Sequence, residues 1–215
     1  MATESKAKCV LCNAEFSKAG MTKHLKSCLT KQSAPPEDSE KPAKKTSAKP
    51  FFHIVAEGLE QPWYWMHLKV SADAALKDLD KFLRDTWLEC CGHLSAFSSP
   101  KGEVSMSKKL KDFKPGTELV HEYDFGTPTV LKIRIMDQYT GPAEKKKVRI
   151  LARNEAPQIP CSECGKTPAV KVCTECIWDN AGWLCKACVK KHECDEEMLL
   201  PVVNSPRTGM CGYEG

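Results

Sequence analysis

The chain has 215 residues, of which 41% are apolar and 28% are charged, a composition typical of globular proteins. It contains no run of about 18 apolar residues, and the N-terminal sequence lacks the apolar segment of a secretory signal, so we expect a cytoplasmic protein without a membrane span. In a reducing compartment, its thirteen cysteines indicate metal binding rather than a disulfide framework.

Charge is distributed unevenly along the chain. Residues 1–50 contain ten lysines and five acidic residues, residues 51–160 are nearly balanced, and residues 161–215 are slightly acidic. A basic N-terminal region can hold nucleic acid by releasing counterions, although a solvated lysine-rich tail has the same composition.

The first motif is "CVLCNAEFSKAGMTKHLKSC", residues 9–28. Its first two cysteines have the two-residue gap of a metal-binding turn, and the histidine and last cysteine, four residues apart, share one face of a short helix. The pattern resembles a CCHC zinc finger with a ββα fold. The predicted ligands of this zinc are Cys9, Cys12, His24 and Cys28.

A single finger reads only about three base pairs, so zinc binding does not by itself predict sequence-specific DNA binding. The finger helix carries Lys18, Lys23 and Lys26, which could contact phosphates. Two partners therefore stay open, nucleic acid held by the basic finger and the segment after it, or another protein.

Four segments are predicted along the chain. Residues 30–50, "TKQSAPPEDSEKPAKKTSAKP", contain no apolar residue larger than alanine and cannot bury enough surface to fold, so they are predicted to be a disordered linker. The predicted segments are the CCHC finger at 1–29, the linker at 30–50, an α+β domain at 51–157 and a two-zinc cysteine-rich module at 158–215.

The central domain alternates strand-like and helical patterns. "FFHIVAEGL" and "WYWMHLKV" read as strands, "TELVHEYDFGTPTVLKIRIM" as a hairpin, and "KKVRILAR" as a final strand. Between them, an apolar stripe predicts one main helix, capped by Ser71 and continuing to about Leu88 before Gly92. The predicted fold is α+β, with a central antiparallel or mixed sheet.

A second cysteine cluster fills the C-terminal region. Three CxxC pairs begin twelve residues apart and are followed by one histidine and two further cysteines. The pattern resembles cross-brace modules such as B-box and RING fingers, which implies that the first and third pairs share one zinc and the second pair begins another. On that resemblance, Cys161, Cys164, Cys185 and Cys188 form one site, and Cys173, Cys176 and His192 begin the second.

Two cysteines compete for the last position of the second site. If a helix beginning at Cys188 continued through His192, Cys194 would lie about 200° around the helix from that histidine. We therefore expect Cys211 as the fourth ligand, with Cys194 as the alternative, and about three zinc ions per chain. An iron–sulfur cluster could use the same thiols.

A catalytic alternative comes from "LECCGHLSAF". Cys91 and His93 could act as a nucleophile and its base in an enzyme of unknown reaction. Cysteines at the end of an amphipathic helix also serve as small buried apolar residues, and we favour that interpretation.

Residues 62–140 resemble a known family. The stretches "LRDTWLECCGHLSAF" and "YDFGTPTVLKI" are similar to the plasmid pRiA4b open-reading-frame-three family. The resemblance implies a bacterial or archaeal origin and an association with mobile elements, but no activity. The sequence thus favours a non-enzymatic zinc-binding adaptor or nucleic-acid-associated protein.

Overall fold

The fold is an α+β arrangement built on one seven-stranded antiparallel sheet, as the sequence predicts. The computed structural model describes residues 5–33, 48–179 and 181–215. No helix within those ranges is long and apolar enough to cross a membrane.

The elements follow one another from the finger to the C-terminal module. The strands are β1 Lys6–Lys8, β2 Glu15–Ser17, β3 Ala48–Gly58, β4 Trp65–Ser71, β5 Ser95–Ser99, β6 Gly102–Val104, β7 Glu118–Tyr123, β8 Thr129–Pro142, β9 Val148–Arg153, β10 Lys171–Cys173, β11 Trp183–Leu184 and β12 Leu199–Pro201. The α-helices are α1 Lys18–Ser33, α2 Leu76–Leu83 and α3 Lys186–Val189, with a π-helical turn at Arg84–Leu88 and short 3-10 helices at Leu110–Asp112, Cys176–Asp179 and Glu196–Met198.

The central sheet has the strand order β6-β5-β7-β8-β3-β4-β9, and its longest pairing joins β3 to β8. Leu131, Ile133 and Ile135 on β8 are buried and alternate with less buried charged residues, as the period-2 pattern predicts. Helix α2 covers this face of the sheet and buries Leu79 and Leu83 in the same core.

The main helix begins later than expected. Ser71 does not cap it; the cap is Ala75, whose backbone N–H donates to Asp78 Oδ2 at 2.8 Å. The residues from Ser71 to Ala74 form a turn instead, because the carbonyl of Ala74 accepts the N–H of Leu110 at 2.9 Å and is thereby tied to a neighbouring loop. Helix α2 ends at Leu83, and the π-helical turn that follows it continues to Leu88, before Gly92.

The finger, residues 5–33, has the expected ββα arrangement and packs on the opposite face of the sheet. Met21 and Leu25 of α1 are fully buried against Trp65 of β4 and its neighbours. The backbone N–H of Val10 also donates to the carbonyl of Leu151 at 2.9 Å. The finger is therefore part of the folded body.

Both described ends of the predicted linker at 30–50 belong to secondary-structure elements. Residues 30–33 belong to helix α1, and residues 48–50 begin β3. The part of this prediction that covers residues 34–47 lies outside the described residues.

The C-terminal module, residues 158–215, contains a small sheet with the order β11-β10-β12. Its last segment, residues 204–215, returns to the central domain, and we call this segment the tail. Arg207 of the tail is fully buried and donates to the carbonyl of Thr127 at 2.7 Å, while Ser205 donates to the carbonyl of Trp87 at 2.5 Å. The tail therefore connects the C-terminal module to the central domain.

Candidate metal centres

The finger cluster forms where a turn faces a helix. The N–H of Cys9 donates to the carbonyl of Ala14 at 2.9 Å, and Asn13, with a φ of 60°, completes the tight turn that presents two thiols. One turn of α1 supplies the other two ligands, and the His24 ring stacks on Phe16 with its centroid 4.4 Å away. The four ligand atoms of Cys9, Cys12, His24 and Cys28 lie within 4.8 Å of one another.

The first C-terminal cluster is made by two CxxC turns that hydrogen bonds hold together. The N–H of Gly165, with a φ of 62°, closes one turn on the carbonyl of Cys161 at 2.9 Å. The other pair lies at the beginning of α3, and the N–H of Ser162 donates to the carbonyl of Trp183 at 2.7 Å. This cluster contains Cys161, Cys164, Cys185 and Cys188, the grouping that the cross-brace resemblance implies.

The second C-terminal cluster corrects the choice of its fourth ligand. Cys194, not Cys211, joins Cys173, Cys176 and His192. The Sγ atoms of Cys176 and Cys194 lie 3.6 Å apart. Helix α3 ends at Val189, so the chain turns before His192 and brings the thiol two residues later back to the same point. The expectation of Cys211 assumed that this helix continued, whereas the structure places that cysteine in a different cluster.

A fourth cluster was not predicted as a metal centre. Cys90 and Cys91, just after the π-helical turn, lie beside His93 and beside Cys211 from the tail, with all four ligand atoms within 4.8 Å of one another. With this group, all thirteen cysteines belong to one of four clusters. The sequence carried one signal of it, the close spacing of three potential ligands in "CCGH" together with one cysteine left over at the C-terminus.

The separations between sulfur atoms fit tetrahedral metal coordination. Zinc–sulfur bonds of about 2.3 Å place two thiolates about 3.8 Å apart at the corners of a tetrahedron, whereas a disulfide bond measures about 2.05 Å. The Sγ atoms of Cys164 and Cys185 are 3.8 Å apart. In the fourth cluster, the distance from Cys91 Sγ to Cys211 Sγ is 3.7 Å. The donor set of thiolates and imidazoles also suits zinc.

Crowding of the thiols makes them difficult to ionise together. Burial and the neighbouring thiols raise the pKa of Cys188 to about 12, and contacts with Cys176 and Cys173 raise the pKa of Cys194 to about 12. In contrast, hydrogen bonds from Thr167 and backbone N–H groups lower the pKa of Cys185 to about 6. A divalent cation would remove the repulsion between thiolates, because it offsets their negative charges.

The environment of Cys91 disfavours the catalytic alternative. Its Sγ lies 3.0 Å from His93 Nε2, as a nucleophile and its base would. However, contacts with Cys211 and Cys90 raise the pKa of the Cys91 thiol to about 11. A nucleophilic cysteine needs a lowered pKa. The raised pKa of Cys91 therefore weakens the interpretation of Cys91 and His93 as a catalytic pair.

Comparison with known proteins adds no functional assignment. No family model matches the chain, and no curated protein matches it. The solved structures similar to it include a protein of unknown function from Methanosarcina mazei Go1, with 20% identity and a TM-score of 0.40, covering 51% of this chain and 70% of that one. Membership of the plasmid pRiA4b open-reading-frame-three family stays a prediction.

Proposed function

We propose that this chain is a non-enzymatic zinc-binding protein that holds the phosphate backbone of double-stranded nucleic acid in a lysine-lined groove of its central domain. The gathering of lysines at one end of the central sheet is the observation that carries this proposal. In this proposal the zinc ions are structural.

Each candidate centre offers four protein ligands, which fill a tetrahedral zinc and leave no position for water or substrate. The clusters of the finger and the C-terminal module lie in small segments with few apolar residues of their own. Metal binding would therefore supply much of the folding free energy of these segments.

The groove lies between the start of β3, the end of β4 and the loop that follows β8, and encloses about 260 Å³. We call it the lysine groove. Five lysines line it, against two acidic residues, Asp73 and Glu144. The lining lysines are Lys49, Lys69, Lys145, Lys146 and Lys147.

Positive charge at this end of the sheet exceeds what the local acids neutralise. A hydrogen bond and the charge of Lys111 lower the pKa of Asp73, and the charges of Lys109 and Lys49 lower it further. Lys145 and Lys146 are exposed and form no ion pair with any described residue. Exposed and unpaired ammonium groups are free to contact phosphates, and each such contact releases cations that are condensed on the nucleic acid.

The finger helix is a weaker candidate for this contact than the sequence suggests. Lys18 donates to Glu57 Oε2 at 2.6 Å, and Lys26 lies 3.9 Å from Asp137, so two of the four lysines of helix α1 already have acidic partners. Near the lysine groove, Phe51 is buried and provides no platform for stacking bases. The arrangement therefore favours duplex phosphates over unpaired bases.

Binding of a short fluorescent DNA duplex, followed by anisotropy over a range of KCl concentrations, tests this proposal. We expect the logarithm of the affinity to fall linearly with the logarithm of the salt concentration. Lys145→Ala/Lys146→Ala should make the slope shallower by about 2, because each phosphate contact contributes about 0.9.

Lys190→Ala/Lys191→Ala is the matched control, since it removes an exposed pair of neighbouring lysines from the C-terminal module. It should leave the slope unchanged. Equal effects of both double variants, or binding insensitive to salt, would contradict the proposal. Loss of binding with Lys23→Ala alone would show that the finger, and not the lysine groove, contacts the phosphates.

A further inference from the structure

We propose that Cys90, Cys91, His93 and Cys211 bind a fourth zinc ion, which fastens the tail to the central domain. This site is independent of the lysine groove and of the nucleic-acid proposal. It differs from the other three centres because its ligands come from two segments that lie more than a hundred residues apart.

The sulfur atoms have the separations of a tetrahedral site, and the imidazole nitrogen lies close to two of them. Cys90 Sγ and Cys91 Sγ are 3.8 Å apart, and Cys91 Sγ is 3.7 Å from Cys211 Sγ. His93 Nε2 lies 3.0 Å from Cys91 Sγ and 3.3 Å from Cys211 Sγ. Two thiols thus contact the same nitrogen of one imidazole, and with Cys90 all four ligand atoms lie within 4.8 Å of one another, which is the set that binds zinc as Cys₃His.

A carboxylate lies behind the histidine, as is usual for metal-bound imidazoles. Asp124 Oδ1 is 3.4 Å from His93 Nδ1, on the opposite side of the ring from the thiols. Such a carboxylate fixes the ring orientation and the tautomer, leaving Nε2 free to bind the metal. Asp124 is itself buried and is fixed by backbone N–H donation from Gly126 at 3.1 Å.

A positively charged side chain lies beside the cluster. A divalent zinc with three thiolates and a neutral imidazole carries one net negative charge. Arg207 Nη2 lies 3.6 Å from Cys90 Sγ, where its positive charge reduces the repulsion between that excess and the carboxylate of Asp124, which the same group also contacts. Because this arginine belongs to the same tail as Cys211, insertion of the tail brings the last ligand and the compensating charge together.

The backbone at Cys211 also indicates that its side chain is used. Cys211 has a φ of 48°, in the left-handed region that favours glycine, and glycines with positive φ stand nearby at Gly209 and Gly212. Glycine would relieve this conformational cost at Cys211. A thiol held there and directed into a cluster of two other thiols and an imidazole is explained by metal coordination.

Native mass spectrometry of the full chain tests the proposal. The wild type should carry four zinc ions, and His93→Ala and Cys211→Ser should each carry three. His93→Cys should restore four, because it supplies a fourth thiolate to the same site. Hydrogen exchange should show faster exchange in the tail of the three-zinc variants, with the finger unchanged.

Thiol mapping of the zinc-loaded wild type tests the same proposal without relying on a variant that folds. If the site holds zinc, Cys90, Cys91 and Cys211 should resist alkylation until a chelator is added. Three zinc ions per wild-type chain with these thiols readily alkylated would overturn the proposal. So would a mass lower by two hydrogens with Cys91 linked to Cys211, because a disulfide would then occupy the position of the metal.

Discussion

Arg207 Nη2 lies 2.5 Å from Asp124 Oδ2, and both side chains are buried. The arginine comes from the tail, and the aspartate from the turn between β7 and β8. The same guanidinium donates to the carbonyl of Thr127 and to Thr129 Oγ1. Because these bonds compensate for most of its lost hydration, the pair can stay buried, and Arg207 anchors the tail together with Ser205.

Removing this arginine should destabilise the protein strongly. Arg207→Met leaves the carboxylate of Asp124 buried without its counter-charge, which costs about 3 kcal/mol or more in the free energy of unfolding. Denaturant unfolding in excess zinc, with zinc content measured in parallel, gives this value. Lys81→Met is the control, because the Lys81–Asp85 pair is exposed and should contribute less than about 1 kcal/mol. Similar losses in the two variants would show that the buried pair has no special role.

Double variants distinguish the two cysteines that compete in the sequence. Cys173→Ser/Cys194→Ser should lose one zinc ion, because both thiols belong to the same cluster. Cys194→Ser/Cys211→Ser should lose two, because the two thiols belong to different clusters. Native mass spectrometry counts the ions. Loss of a single ion in the second variant would contradict this prediction. It would mean either that Cys211 shares a zinc with Cys173 or that the fourth cluster binds no metal.

Loss of the finger zinc should weaken the protection of the central sheet against hydrogen exchange. Cys12→Ser should release the finger's metal and separate Val10 from Leu151, which its backbone N–H contacts. Hydrogen exchange should then quicken both in the finger and at neighbouring β9, whereas a freely tethered finger would lose only its own protection. Cys188→Ser is the control, since it removes a metal ligand without altering the contacts of the finger.

A buried histidine pair should make stability depend on pH. His53 Nε2 lies 2.8 Å from His67 Nδ1, and burial lowers the pKa of His53 to about 4 and that of His67 to about 3. An unfolded histidine has a pKa of about 6.5, so below that pH the unfolded state binds more protons than the folded state. The stability present above about pH 6.5 should therefore be lost as the pH falls toward about 3.

Comparing the wild type with His53→Gln/His67→Gln at each pH isolates this effect, because the metal ligands are the same in both proteins. The wild type should lose up to about 1.4 kcal/mol more per pH unit for each histidine replaced. Denaturant unfolding at several pH values below neutrality measures the difference. Parallel curves for the two proteins would show that the pair titrates normally.

Local patterns predicted the elements, because each depends on residues close in sequence. Alternation at Leu131, Ile133 and Ile135 indicates a strand whichever partner it finds, and the spacing of His24 and Cys28 fixes a shared helix face. The finger could therefore be read from its own sequence, whereas the grouping of Cys161 and Cys164 with the third CxxC pair came from the resemblance to cross-brace modules.

Relationships between distant segments could not be read in the same way. The choice of Cys194 depends on where α3 ends, and short helices end through tertiary contacts that composition does not show. The fourth cluster depends on the tail, which contacts the central domain through Arg207. An arginine is usually exposed, so the sequence does not predict that this one is buried. The docking of the finger depends on Trp65. The alternating pattern of β4 predicts which face of the sheet Trp65 lies on, but it does not predict that the finger covers that face.

Three distant parts of the chain meet at the end of β9. The side-chain oxygen of Asn154 accepts the N–H of Trp65 at 2.9 Å, its amide donates to Asn204 Oδ1 at 2.7 Å, and the next residue, Glu155, donates its N–H to the carbonyl of Lys6. Closing such long loops is entropically costly, so proteins dominated by contacts of this kind fold slowly. The four candidate ligands of the finger all lie within residues 9–28, so metal binding there would need local contacts alone. Its docking, in contrast, must wait for the sheet, so in refolding experiments metal uptake by the finger should precede the burial of Trp65.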